Sequence, residues 1–564
     1  MSAWPAMANA SRLDPTFGKS GIVRTDLGTY AYPHDVIVLP DRSIIVAGET
    51  RSGTSTPTAA TLIRYGPTGA LDKTFGKGGI VKTSYGNGFY ASAGVRQRDG
   101  KLVVVGYSFD VSNNSYPTLA RYTAHGALDT GFGTGGIARS SQVGFSGNGI
   151  AVQPNGRIVI GTSPRDVGLE RWAANGKSLD PTLDGDGIAG DPGDVGGCGS
   201  SSQSGANRVA LTPGGSIIVS GICGGGSSSY PQPSGGIVRY RGGTTANNGA
   251  FDTTFGTGGA TIAPFPTPNF GQDLVRLADG RLVQLDQIGY GNANAKIGLF
   301  RTTPNGAIDS TFGSGGSRTF TIAGFAYSDP VGIAVAPNRS LVTAAYDGKD
   351  DGAFALARRT PTGAPDPTYG SGGQATVKIG PPGPGFMSQS GATALAVQPD
   401  DRAIVAGTTY RNGHTIITLV RFRAPVDRIT NLKIKPKEFS AASSGLSIDR
   451  SHPQKKRTHG ALVTYAGTEP SATFFSVLRP RPGRLEHGQC KPPSSANAGH
   501  KRCTRYSQVG VFQFKDGAGK NQFRFTGRVN GHKLAPGKYS LRASPHNSGG
   551  IGVSAFAAFR VKSS

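Results

Sequence analysis

The chain has 564 residues, including 87 Gly and 37 Pro, with 36% apolar residues and a formal charge of +25. That much turn-forming residue describes a chain that folds in short pieces, and the apolar fraction is enough to build a large core. No apolar run approaches the ~18 residues of a membrane-crossing helix, which excludes a helical span.

The opening string MSAWPAMANAS has no charged start and no long apolar segment, so it is not a complete signal peptide. Ala8-Asn9-Ala10 nevertheless fits a small-residue cleavage site directly before the first repeat, and residues 1–12 are expected to be the remnant of such a region. From Leu13 the chain repeats itself. LDPTFG at Leu13 is followed by LDKTFG at Leu71, LDTGFG at Leu128, LDPTLD at Leu179, FDTTFG at Phe251, IDSTFG at Ile308 and PDPTYG at Pro365, at spacings of 58, 57, 51, 72, 57 and 57. A second series of seven runs in register, from LPDRSIIVAG at Leu39 to QPDDRAIVAG at Gln398, and a third runs from LIRY to LVRF.

Each unit reads as four short runs: a GIV strand, an apolar strand such as DVIVLP, a β-branched strand such as SIIVAG after a PDG-type turn, and an LxRY strand. Four strands every ~57 residues with no helical period predict an all-β chain, with a seven-bladed β-propeller over residues 13–425. The strings LDxTFGxxG, QPDGKIVVAG and LARYxxxG together resemble the delta-60 repeat family of bacterial secreted or surface proteins. The resemblance implies a propeller and no particular activity. It departs most at LDPTLDGDG in the fourth copy.

Residues present in every repeat are scaffold, because seven positions related by a pseudo-rotation cannot all be one asymmetric site. Arg64, Arg121, Arg171, Arg239, Arg301, Arg358 and Arg421 recur in the LxRY strand, and Asp14, Asp72, Asp129, Asp180, Asp252, Asp309 and Asp366 in the LDxTFG string. Bidentate Arg–carboxylate pairs at the blade junctions are expected. Antiparallel strands put the repeated turns on one face and the variable connections on the other, which makes the variable face the candidate binding face. Aromatics gather there: Tyr30, Tyr32, Phe89, Tyr90, Phe145, Phe270, Phe325, Tyr327 and Phe386. Exposed, they would stack on sugar rings or anchor a protein ligand; buried, they would pack between blades.

The usual catalytic strings are missing. The chain has no nucleophile elbow, no HExxH, no CxxC and no phosphate loop. DPTLDGDGIAGDPGD gathers Asp180, Asp184, Asp186, Asp191 and Asp194 in the manner of a calcium loop, but Val195 stands where a bidentate Glu belongs, leaving calcium as a weak candidate and no other cofactor expected. A propeller channel can still assemble a site from several blades that linear spacing does not reveal.

Four cysteines allow three pairings, and proximity favours Cys198 with Cys223 and Cys490 with Cys503. Such bonds indicate an extracellular or cell-surface setting. After Phe422 the repeats stop, and alternating strings such as ALVTYAG, ATFFSVL, NQFRFTG and KYSLRAS predict a β-sandwich over 426–564. KLAPGKYSLRAS, with Tyr539 placed for a tyrosine corner, resembles bacterial immunoglobulin-like or fibronectin-type domains. From Val426 onward the chain holds 24 Lys or Arg against 6 Asp or Glu, so most of the excess charge is there. Lys455, Lys456, Arg457, Arg479, Arg481, Arg484, Lys501 and Arg502 are the candidate polyanion-binding residues.

The expectation is a non-catalytic extracellular binding or adhesion scaffold, with propeller loops recognising polysaccharide or protein and the basic domain associating with an anionic envelope polymer. Nucleic acid is disfavoured by the oxidising compartment. An extracellular hydrolase or lyase working in the channel is the alternative, and a structural envelope component the third.

Overall fold

A computed structural model describes residues 12–53, 58–163, 168–190, 205–223, 232–242, 248–266, 268–289, 295–347, 352–380, 391–425, 427–449, 459–468, 470–486, 489–547, 550–552 and 554–563. The chain divides into two compact units at Phe422/Arg423. It is built from strands, and no helix is long and apolar enough to cross a membrane among the described residues.

The first unit is a β-propeller of seven four-stranded antiparallel sheets. Their inner strands are Tyr30–Val38, Gly88–Arg96, Ser146–Val152, Gly205–Leu211, Asn269–Arg276, Asp329–Val335 and Ala392–Val397, which number blades one to seven. Each inner strand packs against the next, and the seventh returns to the first, closing the ring. The apolar core is correspondingly divided. Seven clusters of buried side chains each lie between one blade and its neighbour, as where Val46 and Ile63 of blade one meet Ile404 and Leu419 of blade seven.

The structural blade is offset from the sequence repeat, which corrects the four-run unit expected above. Blade one takes Tyr30–Val38, Ile44–Arg51 and Ala59–Tyr65 from one repeat and its outer strand, Ile80–Thr83, from the next. The first GIV strand, Ile22–Thr25, is thereby left over, and it pairs with His414–Phe422 to complete blade seven. This exchange ties the start of the propeller to its end, so the ring closes by hydrogen bonding and not by packing alone.

The LDxTFG string forms the turn between the third and outer strands. The ring at its Phe position is wholly buried in Phe17, Phe75, Phe132, Phe255, Phe312 and Tyr369, with Leu183 in the divergent fourth copy. All seven Arg–Asp pairs form. The Nε to Oδ2 distances are 3.1 Å for Arg64–Asp72, 2.8 Å for Arg121–Asp129, 2.7 Å for Arg171–Asp180, 2.8 Å for Arg239–Asp252, 2.8 Å for Arg301–Asp309, 3.6 Å for Arg358–Asp366 and 2.8 Å for Arg421–Asp14. They are Nε contacts and not the expected bidentate forks: Nη1 is used across the blade junction, and Nη2 of Arg171, Arg239, Arg301 and Arg421 donates to the Thr hydroxyl of the LDxTFG turn. Arg121 Nη1 donates to the Ala174 carbonyl at 2.7 Å and Arg239 Nη1 to Pro304 at 2.9 Å. The second carboxylate oxygen is taken locally: Asp309 Oδ1 accepts from the Thr311 N–H and hydroxyl at 3.1 and 2.6 Å. The guanidinium then lies over the buried ring, 4.5 Å from Phe132 for Arg121 and 4.9 Å from Phe312 for Arg301.

The second unit places a four-stranded sheet and a seven-stranded sheet around one core. Phe523 and Phe525 of the first meet Phe475, Phe512 and Phe559 of the second. Tyr539 donates its hydroxyl to the Ala535 carbonyl at 2.8 Å, the local bond expected of a tyrosine corner.

Candidate functional site

All seven inner strands carry a β-bulge at the same depth, between Pro33/Asp35, Ala91/Ala93, Gly147/Gly149, Ala206/Arg208, Gly271/Asp273, Pro330/Gly332 and Ala392/Ala394. A bulge leaves one residue out of the ladder and turns it aside. Here the extra residues are His34, Ser92, Asn148, Asn207, Gln272, Val331 and Thr393, and together they line a cavity of about 110 Å³ at the centre of the ring. Six are polar. No sequence signal marks this ring, because it exists only when seven distant strands converge.

The charged groups of this neck are already engaged. Arg208 Nε and Nη2 lie 2.5 and 3.2 Å from the two Asp273 oxygens, which also accept the Leu274 and Ile333 amides at 2.7 and 2.8 Å. Asp35 accepts the Val36 and Gly94 amides, both at 2.8 Å. Each carboxylate therefore joins its own inner strand to the next blade. Burial raises the Asp35 carboxyl against the pull of Arg208 and those amides. The crowded neck and then the Arg51 charge shift His34 below the ordinary imidazole value.

On the variable face, three of the expected aromatics come together across blades seven, one and two. Arg51, at the end of the second strand of blade one, lies between the rings of Tyr32 and Tyr90, 5.4 and 5.3 Å from their centroids. Its Nη2 is 2.7 Å from Glu49, whose side chain is almost wholly buried and whose carboxyl is raised first by that burial. Tyr90 stacks on Tyr107 at 4.6 Å and meets Phe109 edge-on at 5.6 Å, with Tyr107 edge-on to Phe109 at the same distance. Tyr30 approaches His414 of blade seven at 6.4 Å, and His414 Nε2 pairs with Asp26 at 2.7 Å. Tyr30, Tyr32, Tyr90, Tyr107 and Phe109 are all half-buried, so each keeps some surface in solvent.

The other expected positions divide. Phe89 is wholly buried in the core between blades one and two, which corrects its assignment to the exposed set; strand alternation turns it away from Tyr90. Phe145, Phe270, Phe325 and Tyr327 are half-buried on blades three, five and six, and Phe386 lies outside the described residues. Arg51, Glu49, Tyr107 and Phe109 were missed, although aligning the repeats at ETR and GYSF would place them at the same strand end.

Asp180 of the candidate calcium loop is paired with Arg171 and, at 2.8 Å, with Arg157. Asp186 accepts the Ile188 amide and Asp184 lies in the same turn, while Asp191 and Asp194 lie outside the described residues. No group of three or more metal-ligating side chains occurs among the described residues. Cys490–Cys503 is bonded and Cys223 is disulfide-bonded; Cys198 lies outside the described residues. Arg479, Arg481, Arg484 and Arg502 lie on two long paired strands of the second unit, Ser471–Glu486 and Arg502–Asp516, with Lys501 adjoining, while Lys455, Lys456 and Arg457 are outside the described residues.

Residues 39–75 and 97–132 match the model of a β-propeller domain of unknown function, DUF5122. No curated protein sequence matches the chain. Among solved structures, a protein of unknown function from Dyadobacter fermentans is 12% identical, with 71% of this chain and 99% of that one covered at a TM-score of 0.38. PorZ, a surface component of the type-IX secretion system of Porphyromonas gingivalis, is 10% identical over 94% of this chain and 74% of its own, at 0.30. A PQQ-bound aldose sugar dehydrogenase from Streptomyces coelicolor is 14% identical over 58% and 100%, also at 0.30.

Proposed function

We propose that this β-propeller protein is an extracellular, non-catalytic binding scaffold. Its variable face recognises a polysaccharide or protein through the patch around Arg51, and its basic second unit associates with an anionic polymer of the cell envelope. The observation that carries the reading is the stack of Tyr32, Arg51, Tyr90 and Tyr107, held by Glu49. Rings already fixed by their neighbours lose little rotamer freedom on binding and offer both an apolar face and a hydroxyl, which suits a sugar or a protein ligand.

The two carboxylates of the neck support binding over catalysis. A hydrolase or lyase needs an acid and a base free to move protons. Asp35 and Asp273, the carboxylates of the neck, instead accept backbone amides and Arg208. The bonded cysteines suit an oxidising compartment.

The test is binding of the full chain to a panel of neutral and acidic polysaccharides, compared with Tyr107→Ala and Arg51→Ala, with released reducing ends assayed in the same reactions. Expected is at least one ligand, weakened about tenfold or more by either substitution, as for a central contact. Equal binding by variants that melt like the wild type would remove the patch from the reading, and product release would overturn the non-catalytic part.

A further inference from the structure

The two longest strands of the second unit run well past the sheet that holds them. Ser471–Glu486 pairs with Gly537–Asn547 only as far as Leu478, but with Arg502–Asp516 all the way to Arg484. From Pro480 onward the two strands therefore form a projecting ribbon, joined at its tip by the short strand Gln489–Lys491. The Cys490–Cys503 bond crosses this tip over Gly483, where any side chain would collide with the Cys490 sulfur.

The ribbon places like charges opposite one another. Arg481 is the cross-strand partner of Arg505, and Arg484 of Arg502. Directly opposite like charges destabilise an antiparallel pair. None of these four arginines has a carboxylate partner among the described residues, and the Glu486 carboxylate, 3.2 Å from Lys491, is already paired. Arg484 and Arg505 donate instead to the His500 and Pro482 carbonyls, at 2.8 and 3.2 Å, which orients their guanidinium groups without neutralising them. Lys501 is exposed beside them. Tyr506, 57% exposed, lies on the Arg484–Arg502 face of the ribbon, opposite Pro480.

We infer that this disulfide-stapled ribbon is the polyanion-binding element of the second unit, and that its ligand is a linear glycan or polyol polymer with an anionic group, phosphate or carboxylate, in each repeating unit. The inference rests on the proposed association of that unit with an anionic polymer and assigns it to one structure. Opposed arginines on both faces match a flexible chain that can lie along the ribbon, since each anion relieves a repulsion built into the fold, and Tyr506 adds a ring for a sugar to stack on. The Cys490–Cys503 bond and the bonded Cys223 favour a compartment where such polymers, and not nucleic acid, are the polyanions at hand.

The experiment uses the full chain with three probes: poly(glycerol phosphate), polygalacturonate and duplex DNA, at about 50 and about 200 mM salt, a range over which multi-contact polyanion binding falls steeply. The ribbon variant carries Arg481→Gln, Arg484→Gln, Arg502→Gln and Arg505→Gln. A control loses the same charge from exposed positions elsewhere in the unit, through Lys433→Gln, Lys520→Gln, Lys538→Gln and Lys562→Gln. A third, with the four arginines as Lys, keeps charge but not the planar fork. Expected is salt-sensitive binding to one or both glycan-type polymers, weakened about tenfold or more in the ribbon variant, largely kept in the control and partly restored by Lys. Equal loss in ribbon variant and control would overturn the assignment to the ribbon while leaving the unit a polyanion binder. Absence of binding to any probe would overturn both, and tighter binding to DNA would overturn the choice of polymer. Melting curves identify a variant that has unfolded, in which case the single Arg481→Gln change replaces it.

Discussion

Arg421 and Asp14 join the two ends of the propeller: Arg421 Nε lies 2.8 Å from Asp14 Oδ2, with both side chains 3% exposed. Arg402 adds a second cation at 3.0 Å. Arg421→Leu removes a buried charge-assisted contact but leaves Asp14 with Arg402 and the Thr16 donors, so it is expected to destabilise the unit by about 1.5–3 kcal/mol. The same change at Arg64, whose pair with Asp72 is 16% and 22% exposed, is expected to cost about 1 kcal/mol. Urea unfolding of the two variants decides this; equal losses would mean that ring closure does not depend on the pair.

Six of the seven repeat aspartates share an acid dependence. Burial would raise Asp14, Asp180, Asp252 and Asp309, but the Thr two residues on and the Arg partners outweigh it, and all four are lowered. Asp72 is lowered first by Thr74, and Asp129 first by Lys101. With folded values below the unfolded value of about 3.9, their contribution is fully present above about pH 4 and is lost as pH falls through the lower folded values. Unfolding midpoints measured from pH 6 to pH 2 should therefore fall steeply at the acid end; a flat profile would contradict the linkage.

Asp286 has the opposite sign. It is wholly buried where blades one, two, four and seven have Gly48, Gly106, Gly221 and Gly407, and burial, only partly offset by the Gln284 side chain, raises its carboxyl to about 7. A raised carboxyl contributes stability below its unfolded pKa and loses it as pH rises through about 7. Asp286→Asn, a neutral isostere, should be near-neutral at pH 4 and stabilising at pH 8 by on the order of 3 kcal/mol. Thermal melts of the pair at both pH values test it; a uniform loss would place the carboxylate in a required bond.

Two glycines of blade two should respond oppositely. A side chain at Gly106 would strike the Tyr90 carbonyl oxygen, brought close by the inner-strand bulge, so Gly106→Ala is expected to cost about 1–3 kcal/mol. Gly131 stands where the other six copies have a Thr whose hydroxyl bonds the repeat Asp, as Thr311 does to Asp309 at 2.6 Å. Its added side chain would meet only Asp129 Oδ1, at 3.5 Å. Gly131→Thr should therefore stabilise by about 1 kcal/mol. Melting temperatures of both variants give the answer directly; a destabilised Gly131→Thr would refute the role assigned to the hydroxyl.

The strand strings, the turn chemistry and the Arg–Asp pairing were legible because each is encoded locally and repeated seven times, so that chance agreement cancels. Strand grouping was not: whether Ile22–Thr25 belongs to the first repeat or the last blade depends on closing a ring, a non-local condition. Of the candidate site, Tyr30, Tyr32 and Tyr90 could be named from the variable connections, yet nothing local distinguishes Tyr90 from the buried Phe89 beside it. That difference is set by the pleat.

By itself, then, the sequence determined an all-β repeat chain with basic charge concentrated after Val426, since composition, period and turn residues act over a few neighbours. Only the tertiary structure decided that seven bulges converge on one neck, that Arg51 is held between two tyrosines, and that arginines face arginines across a stapled ribbon. Those relationships join residues distant in the chain, and register and ring closure, not local preference, bring them together.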